Sequence, residues 1–355
     1  MRAAAGEHRR TGAVRSPSGR RLRGSRVRLL GVGVVALAVA AGAVVWVARG
    51  VEGTGRGAAV AVTVPRGASL SSMAPQLAGR GVVSSATLMR IWLRVSPPPP
   101  IQAGYYVFHR GEGISAVLRQ FRLGPTEIHL TVPPGFTIHQ MAQRVAAVLP
   151  GHSAAAFVRA ATDGSVRSPY EPASTNSLEG LLYPDTYYLS PTSSDRSILR
   201  AMVARFDAVA AQVHLQPASA AVGTTPYGAI TVASMVEREA KLPSDRPKVA
   251  RVIYNRLAAS MPLQIDATVL YALGDPSGGL TRASYSVRSP YNTYVYPGLP
   301  PTPIASPGMA ALQAALHPAP GPWLYYVVVS PNGAEAFSRT LAGQEANIAR
   351  AAGGG

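Results

Sequence analysis

The run Gly228 to Leu242 (GAITVASMVEREAKL) carries two acids, Glu237 and Glu239, in a pattern that predicts a helix ending before Pro243. Residues two apart leave a helix axis about 200° apart, so the two acids cannot face one site. Glu237 has Lys241 at i+4, the order of a favourable surface ion pair, which fits a solvated structural charge. Glu239 instead extends the stripe Val232, Met235 and Val236, and its i+3 and i+4 neighbours are Leu242 and Pro243. A carboxylate on an apolar stripe is desolvated, which raises its pKa and keeps a proton available near neutrality. That is the state a general acid needs. A satisfied buried glutamate is the other reading that these residues leave open.

Downstream come segments dense in amides, hydroxyls and rings: Val252 to Leu257, Leu263 to Val269, Tyr291 to Tyr294 and Gly298 to Pro301. Upstream, Leu178 to Tyr187 sets a Pro184-Asp185 turn signal between aromatics. Groups of this kind suit hydrogen bonds to sugar hydroxyls and N-acetyl groups, with flat apolar faces for stacking on sugar rings. Other chemistries find no support. Zero cysteines exclude a thiolate nucleophile, a thiolate zinc site and a disulfide scaffold. The seven histidines (8, 109, 129, 139, 152, 214, 317) are scattered without an H-x-x-x-H pair, and neither a G-x-S-x-G elbow nor a G-x-x-x-x-G-K-[ST] loop occurs.

The elements that must position these groups are set out along 355 residues, room for about two domains on a prior of roughly 150 residues each. A composition of 47% apolar and 14% charged residues allows a sizeable core. The formal charge of +17 is unevenly spread: residues 1–28 hold nine arginines against Glu7, a net of +8, and the remainder holds +9. Leu29 to Val47 then runs for 19 residues without a charge, close to the thickness of a bilayer's hydrocarbon core. A single-pass anchor is expected over 29–48. A cleaved signal peptide is the rival, with Ala38-Val39-Ala40 as a cleavage site, although that site lies inside the apolar run. The arginine excess before the span directs the N-terminus to the cytoplasm and everything after it to the outside. The basic tail is thus a topology signal, and nucleic acid is not an expected partner.

After a glycine-rich linker (49–59), Val60, Val62 and Val64 alternate as a strand, Pro65-Arg66-Gly67 turns, and Leu70, Met73, Ala74, Leu77 and Ala78 recur at helical spacing. Thr131-Val132-Pro133-Pro134-Gly135 repeats the start of this unit 68 residues on, which one turn chemistry used twice explains. Pro97 to Pro100 is a stiff spacer, and Gly104 to Phe108 is the following strand.

In the order L-E-G-x-x-x-P-D-T-Y (178–187), A-S-x-V-E-x-E (233–239), N-R-L (255–257), L-Q-x-D-x-T-V (263–269), Y-N-T-Y (291–294), G-L-P-P (298–301), S-P-G (306–308) and H-P (317–318), the chain resembles the YceG-like family of endolytic murein transglycosylases over roughly residues 60 to 345. The resemblance implies an α+β fold: one N-terminal transmembrane helix, a small LysM-like module (60–124), a mixed α/β catalytic domain (125–345) and a flexible tail (346–355). It makes the second acid of the V-E-x-E motif catalytic, which falls on Glu239. Gln264, Asp266, Tyr291, Asn292 and Tyr294 become candidates for holding the glycan, with Glu179 and Asp185 in support. Some relatives have a proline where this chain has Ala267, and an H-x-F segment where it has Glu335-Ala336-Phe337. A later histidine of the family is replaced near Gln344.

The expected reaction is non-hydrolytic cleavage of the β-1,4 bond between N-acetylmuramic acid and N-acetylglucosamine, without metal or cofactor. Because the attacking C6 hydroxyl belongs to the substrate, the second carboxylate of an ordinary glycosidase is not needed. Peptidoglycan strands are the implied partner, and peptidoglycan synthases of the elongation or division machinery are candidates beside them. The alternatives are a non-catalytic membrane-anchored wall-binding scaffold and a hydrolytic muramidase.

Overall fold

The computed structural model describes residues 21–53, 55, 57–276 and 278–353. Of the basic tail expected over 1–28, residues 1–20 lie outside them. The chain divides into two compact units after Pro125.

The first unit begins with helix α1 (Arg21–Glu52), followed by β1 (Ala59–Val64), α2 (Leu70–Gly79), α3 (Ala86–Val95), β2 (Gly104–His109) and α4 (Ile114–Leu123). Within α1, Val34–Glu52 is long and apolar enough to cross a membrane and is 11% buried inside the protein. Arg49 to Glu52 were expected in the linker, yet they are helical: Gly50 and Val51 are buried. Packing of this last turn against α3 and α4 is what prolongs the helix. β1 and β2 pair antiparallel, Val62 opposite Tyr106 and Val60 opposite Phe108, so the inward valines meet stacked aromatics. Ser69 caps α2 through a capping box with Ser72, and Ser85 caps α3. The inner faces of α2 and α3 (Met73, Leu77, Met89) close this core.

The second unit comprises β3 (Ile128–Thr131), α5 (Ile138–Val148), α6 (Ala154–Thr162), β4 (Thr186–Leu189), α7 (Asp195–Gln212), α8 (Leu215–Ala221), α9 (Pro226–Glu239), α10 (Arg246–Ala258), α11 (Asp266–Ala272), α12 (Met309–Leu316), β5 (Tyr325–Val328), β6 (Glu335–Ser338) and α13 (Leu341–Gly353). β3 pairs with β4 and β5 with β6, both antiparallel, so helices carry the architecture beside two short two-stranded sheets. The repeated turn recurs in form: Gly67 and Gly135 both take positive φ, and Thr137, like Ser69, starts its helix with a capping box.

Every residue of α9 from Gly228 to Val236 is buried, with α8, α10, α11 and α12 around it. The apolar stripe is therefore part of a wholly buried cylinder. Pro226 at the first turn and the Thr225 hydroxyl, which accepts the Gly228 N–H at 3.0 Å, start this helix. It stops at Glu239, three residues before the expected end, because Ala240 turns to extended backbone and the residue before Pro243 disfavours helix. Residues 346–353, expected as a flexible tail, are helical in α13, which packs on β5 and β6 and buries Asn347.

Candidate active site

Glu239 ends α9, where the last carbonyls of the helix project negative potential. Its carboxylate accepts the Tyr326 hydroxyl at 3.1 Å on Oε2 and the Ala267 N–H at 3.4 Å on Oε1. Burial holds its pKa above the ordinary carboxylate range; the Tyr326 and Ala267 hydrogen bonds oppose this, Asp266 pushes it further up and Arg238 pulls it down. Tyr326 comes from β5, Ala267 from the first turn of α11. The acid is thus held between the end of one helix, the start of another and a hairpin strand.

Two of the supports continue outward. Asp266 is exposed at the first position of α11 and accepts the Tyr294 hydroxyl at 2.6 Å, while the Tyr294 ring meets Tyr285 edge-on. Gln264 sits just before, at φ 52, a left-handed conformation that costs about 1 kcal/mol or more for a non-glycine residue. Its N–H is pinned to the Thr293 carbonyl at 3.1 Å, and its side-chain oxygen accepts from Arg256 at 3.4 Å. Buried Arg256 also donates to the carbonyls of Leu263 (2.7 Å) and Leu324 (2.7 Å), joining the Gln264 loop to the start of β5. On β6, Glu335 faces the same region. One carboxyl oxygen is buried without a hydrogen-bond partner, and burial, Asp245 and Glu239 push its pKa up to about 8.

A YceG-like family model matches residues 62–350. The chain belongs to the YceG-like family. Similar to it is a protein named endolytic murein transglycosylase from Bacillus subtilis (strain 168), 31% identical over 297 residues, covering 79% of this chain and 82% of that protein. A protein of the same name from Streptococcus pneumoniae serotype 2 (strain D39 / NCTC 7466) is 26% identical over 323 residues, which is 82% of this chain and 58% of the relative's length. A crystal structure of a yceG-like protein from Listeria monocytogenes aligns with a TM-score of 0.57 at 29% identity, over 82% of this chain and 99% of that one.

The YceG-like motifs do different work in space. Gln264, Asp266 and Tyr294 gather with Glu239. Asn292 does not offer itself to a ligand: it is fully buried, its amide donates to the carbonyls of Tyr285 (3.0 Å) and Val287 (2.8 Å), and its oxygen accepts the Tyr294 N–H. It braces the loop that presents Tyr294. Tyr291 is half-buried, bonded to Thr302 at 2.9 Å and packed on Tyr271. Glu179 is equally enclosed. It accepts the Ile138 N–H at the start of α5 and the Tyr271 hydroxyl, and burial pushes it up to about 7. Asp185 pairs with Arg205 at 2.7 Å and shares no bond with the Glu239 group. Glu237 is the clearest correction. Its side chain is 7% exposed, its cation is Arg246 at 3.0 Å rather than Lys241, and it accepts the Gly308 N–H at 2.9 Å, fixing the start of α12.

Tyr326 and Glu335 are neighbours of Glu239 that motif spacing did not single out, and Arg256 of N-R-L is one whose bracing role the motif did not state. Tyr325-Tyr326-Val327-Val328 is a run of strand-favouring residues, but nothing in it records closure onto Glu239, a contact 87 residues distant. Two clefts of this unit, about 570 Å³ beside His214 and His317 and about 420 Å³ beside Tyr271 and Asp275, share no lining residue with the Glu239 group. Among the described residues no cluster of three or more histidine or acidic side chains is gathered as metal ligands. What the Glu239 group can do is keep a proton on one carboxyl, give it to a bond placed against it, and take one back.

Proposed function

We propose that this chain is an endolytic peptidoglycan lytic transglycosylase that cuts the bond between N-acetylmuramic acid and N-acetylglucosamine in nascent strands and leaves 1,6-anhydromuramoyl ends. The observation that carries the reading is a carboxyl raised by burial at the end of α9 and oriented by the Tyr326 hydroxyl. Glu239 gives its proton to the glycosidic oxygen as the bond from C1 of the muramoyl sugar breaks and its electron pair leaves with that oxygen. The C6 hydroxyl of the same sugar then bonds to C1 and returns its proton to Glu239. Gln264, Asp266 and Tyr294 border the acid and hold the glycan, with Tyr291 behind them; Arg256 and Asn292 position that border. Membership of the YceG-like family and relatives named endolytic murein transglycosylases support this reaction class.

The anchor is α1, with residues before it in the cytoplasm and both units outside, supported by the arginine excess ahead of the apolar run. The first unit is LysM-like, supported by the order β1, α2, α3, β2 with the two strands paired. Peptidoglycan synthases are candidate partners. A hydrolytic outcome is the second reading, favoured by Asp266, a carboxylate close enough to Glu239 to raise its pKa and able in principle to serve a water. Mass spectrometry of digested glycan decides between them. Anhydro ends are expected; reducing ends would convert the assignment to a muramidase, and no cleavage would return it to a scaffold.

A further inference from the structure

The end of α1 is built into the core of the first unit, and this fixes where α3 must lie. Val51 is 8% exposed, Val47 packs on the same core, and Gly50 is set so close to α3 that a side chain there would strike Leu88 and Ser84. Four residues further along α3, Trp92 shares a groove of about 440 Å³ with Ala43, Val44, Val47, Ala48, Val51 and Glu52 of α1. The groove runs from Glu52 back to Ala43, so Trp92 lies beside the last turns of α1, where its apolar run ends. Arg49 is the first charge after the apolar run, and Ala43 lies about 9 Å before it along the axis. With α1 in a bilayer, Trp92 stands level with residues at the edge of the hydrocarbon.

The outer side of α3 suits that level. Ile91 is 54% exposed and Val95 73% exposed, large apolar side chains that the protein itself does not cover, whereas Leu88, Met89 and Leu93 fill the core. Arg90 and Arg94 flank them. Two of the chain's three tryptophans, Trp46 and Trp92, fall in this zone, and tryptophan concentrates where apolar and wet regions meet. An apolar edge with cationic flanks beside the exit of a membrane helix has the composition of an interfacial helix.

We propose that the C-terminal half of α3, through Ile91, Trp92 and Val95, is immersed in the outer surface of the same bilayer that α1 spans, with Arg90 and Arg94 among anionic headgroups. The occupant of this face is lipid, because α1 already places it there. The first unit is thereby seated on the membrane by two helices instead of swinging on a single tether. The proposal rests on α1 being the anchor.

The chain has no cysteine, so single introduced cysteines report one position each. Ile91→Cys, Val95→Cys, Val45→Cys on α1 and Arg66→Cys, exposed beyond the far end of β1, are made in the full chain. Each is labelled with an environment-sensitive fluorophore and reconstituted in vesicles containing anionic lipid and a lipid quencher carried near the headgroup. Quenching at 91 and 95 similar to that at 45, and several-fold above that at 66, is the expected result. Quenching at 45 alone would overturn the proposal and leave the anchor standing. Quenching at none of 45, 91 and 95 would overturn both. Shielding of 91 and 95 that tracks protein concentration, with cross-links between copies, would also overturn it and assign the face to a second copy of the chain.

Discussion

Glu239 combines three influences that favour its protonated form: burial, the negative end of α9 and the nearby Asp266, against which the Tyr326 hydroxyl and the Ala267 amide act. Glu239→Gln keeps the shape and removes the transferable proton. Cleavage is expected to fall by at least about 10²-fold with the thermal midpoint at or above that of the parent, measured by glycan digestion and melting. Glu237→Gln is expected to do the reverse, costing about 1–3 kcal/mol because Arg246 loses its buried partner, while cleavage at permissive temperature survives. If Glu237→Gln abolished cleavage in folded protein, the assignment of the acid would be wrong. Glu335 adds a pH dependence. Its folded pKa near 8 stands above the ordinary 4.5, so its protonated form favours folding below about pH 4.5 and that contribution is lost as pH rises toward 8. Glu335→Gln is expected to flatten the decline of stability over that window. It also removes a negative charge facing Glu239, so the alkaline limb of activity shifts down by about one pH unit or less. An unchanged limb would separate Glu335 from the reaction. The types of the two α9 acids and their opposed directions could be read from spacing alone, because helix geometry is local. Their partners, Arg246 and Tyr326, could not, since nothing in a helical period records a contact beyond the helix end, whether across the next turn or 87 residues away.

At the scale of elements, the YceG-like motifs are mostly joints. Gly180 of the L-E-G motif adopts φ 78 with Pro303 pressed where a side chain would be, so this glycine is required twice over. The S-P-G segment receives Glu237 at the start of α12, and Asn255 of N-R-L donates to the carbonyls of Gly321 and Trp323. Density of amides and hydroxyls thus indicated glycan contact for some residues that instead tie loops. Composition alone does not distinguish an amide that bonds a sugar from one that bonds a carbonyl. Asn292 and Tyr294 allow the distinction to be measured. Asn292→Ala is expected to lower stability by about 1–3 kcal/mol, because a fully buried amide is removed and two loop carbonyls lose their donor. Tyr294→Phe is expected to leave the melting temperature close to the parent and to reduce cleavage by about tenfold, the worth of one hydrogen bond of roughly 1.4 kcal/mol to Asp266. A Tyr294→Phe variant as active as the parent would remove that pair from the site. Boundaries followed the same rule: strands and helices with clear periods were legible. The helical close of the chain and the last turn of α1 were decided by tertiary packing.

For the whole molecule the anchor governs which bond is within reach. Only residues 53–58 separate α1 from β1, no more than about 20 Å of extended chain, and residues 124–127 separate α4 from β3, about 14 Å. With α1 as the proposed anchor, the second unit, which holds Glu239, stays near the bilayer, where glycan is polymerised. A strand held by its lipid carrier at one end has that terminus occupied, so it is released by a cut within the strand. The expected behaviour is endolytic. Uncrosslinked strands of defined length, given to the full chain in detergent or vesicles, should first yield intermediate lengths bearing anhydro ends, and shorter fragments only later. Steady release of disaccharides from one terminus, with the parent strand shrinking two sugars at a time, would show that the acid recognises an end. The short tether would then set where the enzyme works but not which bond it cuts.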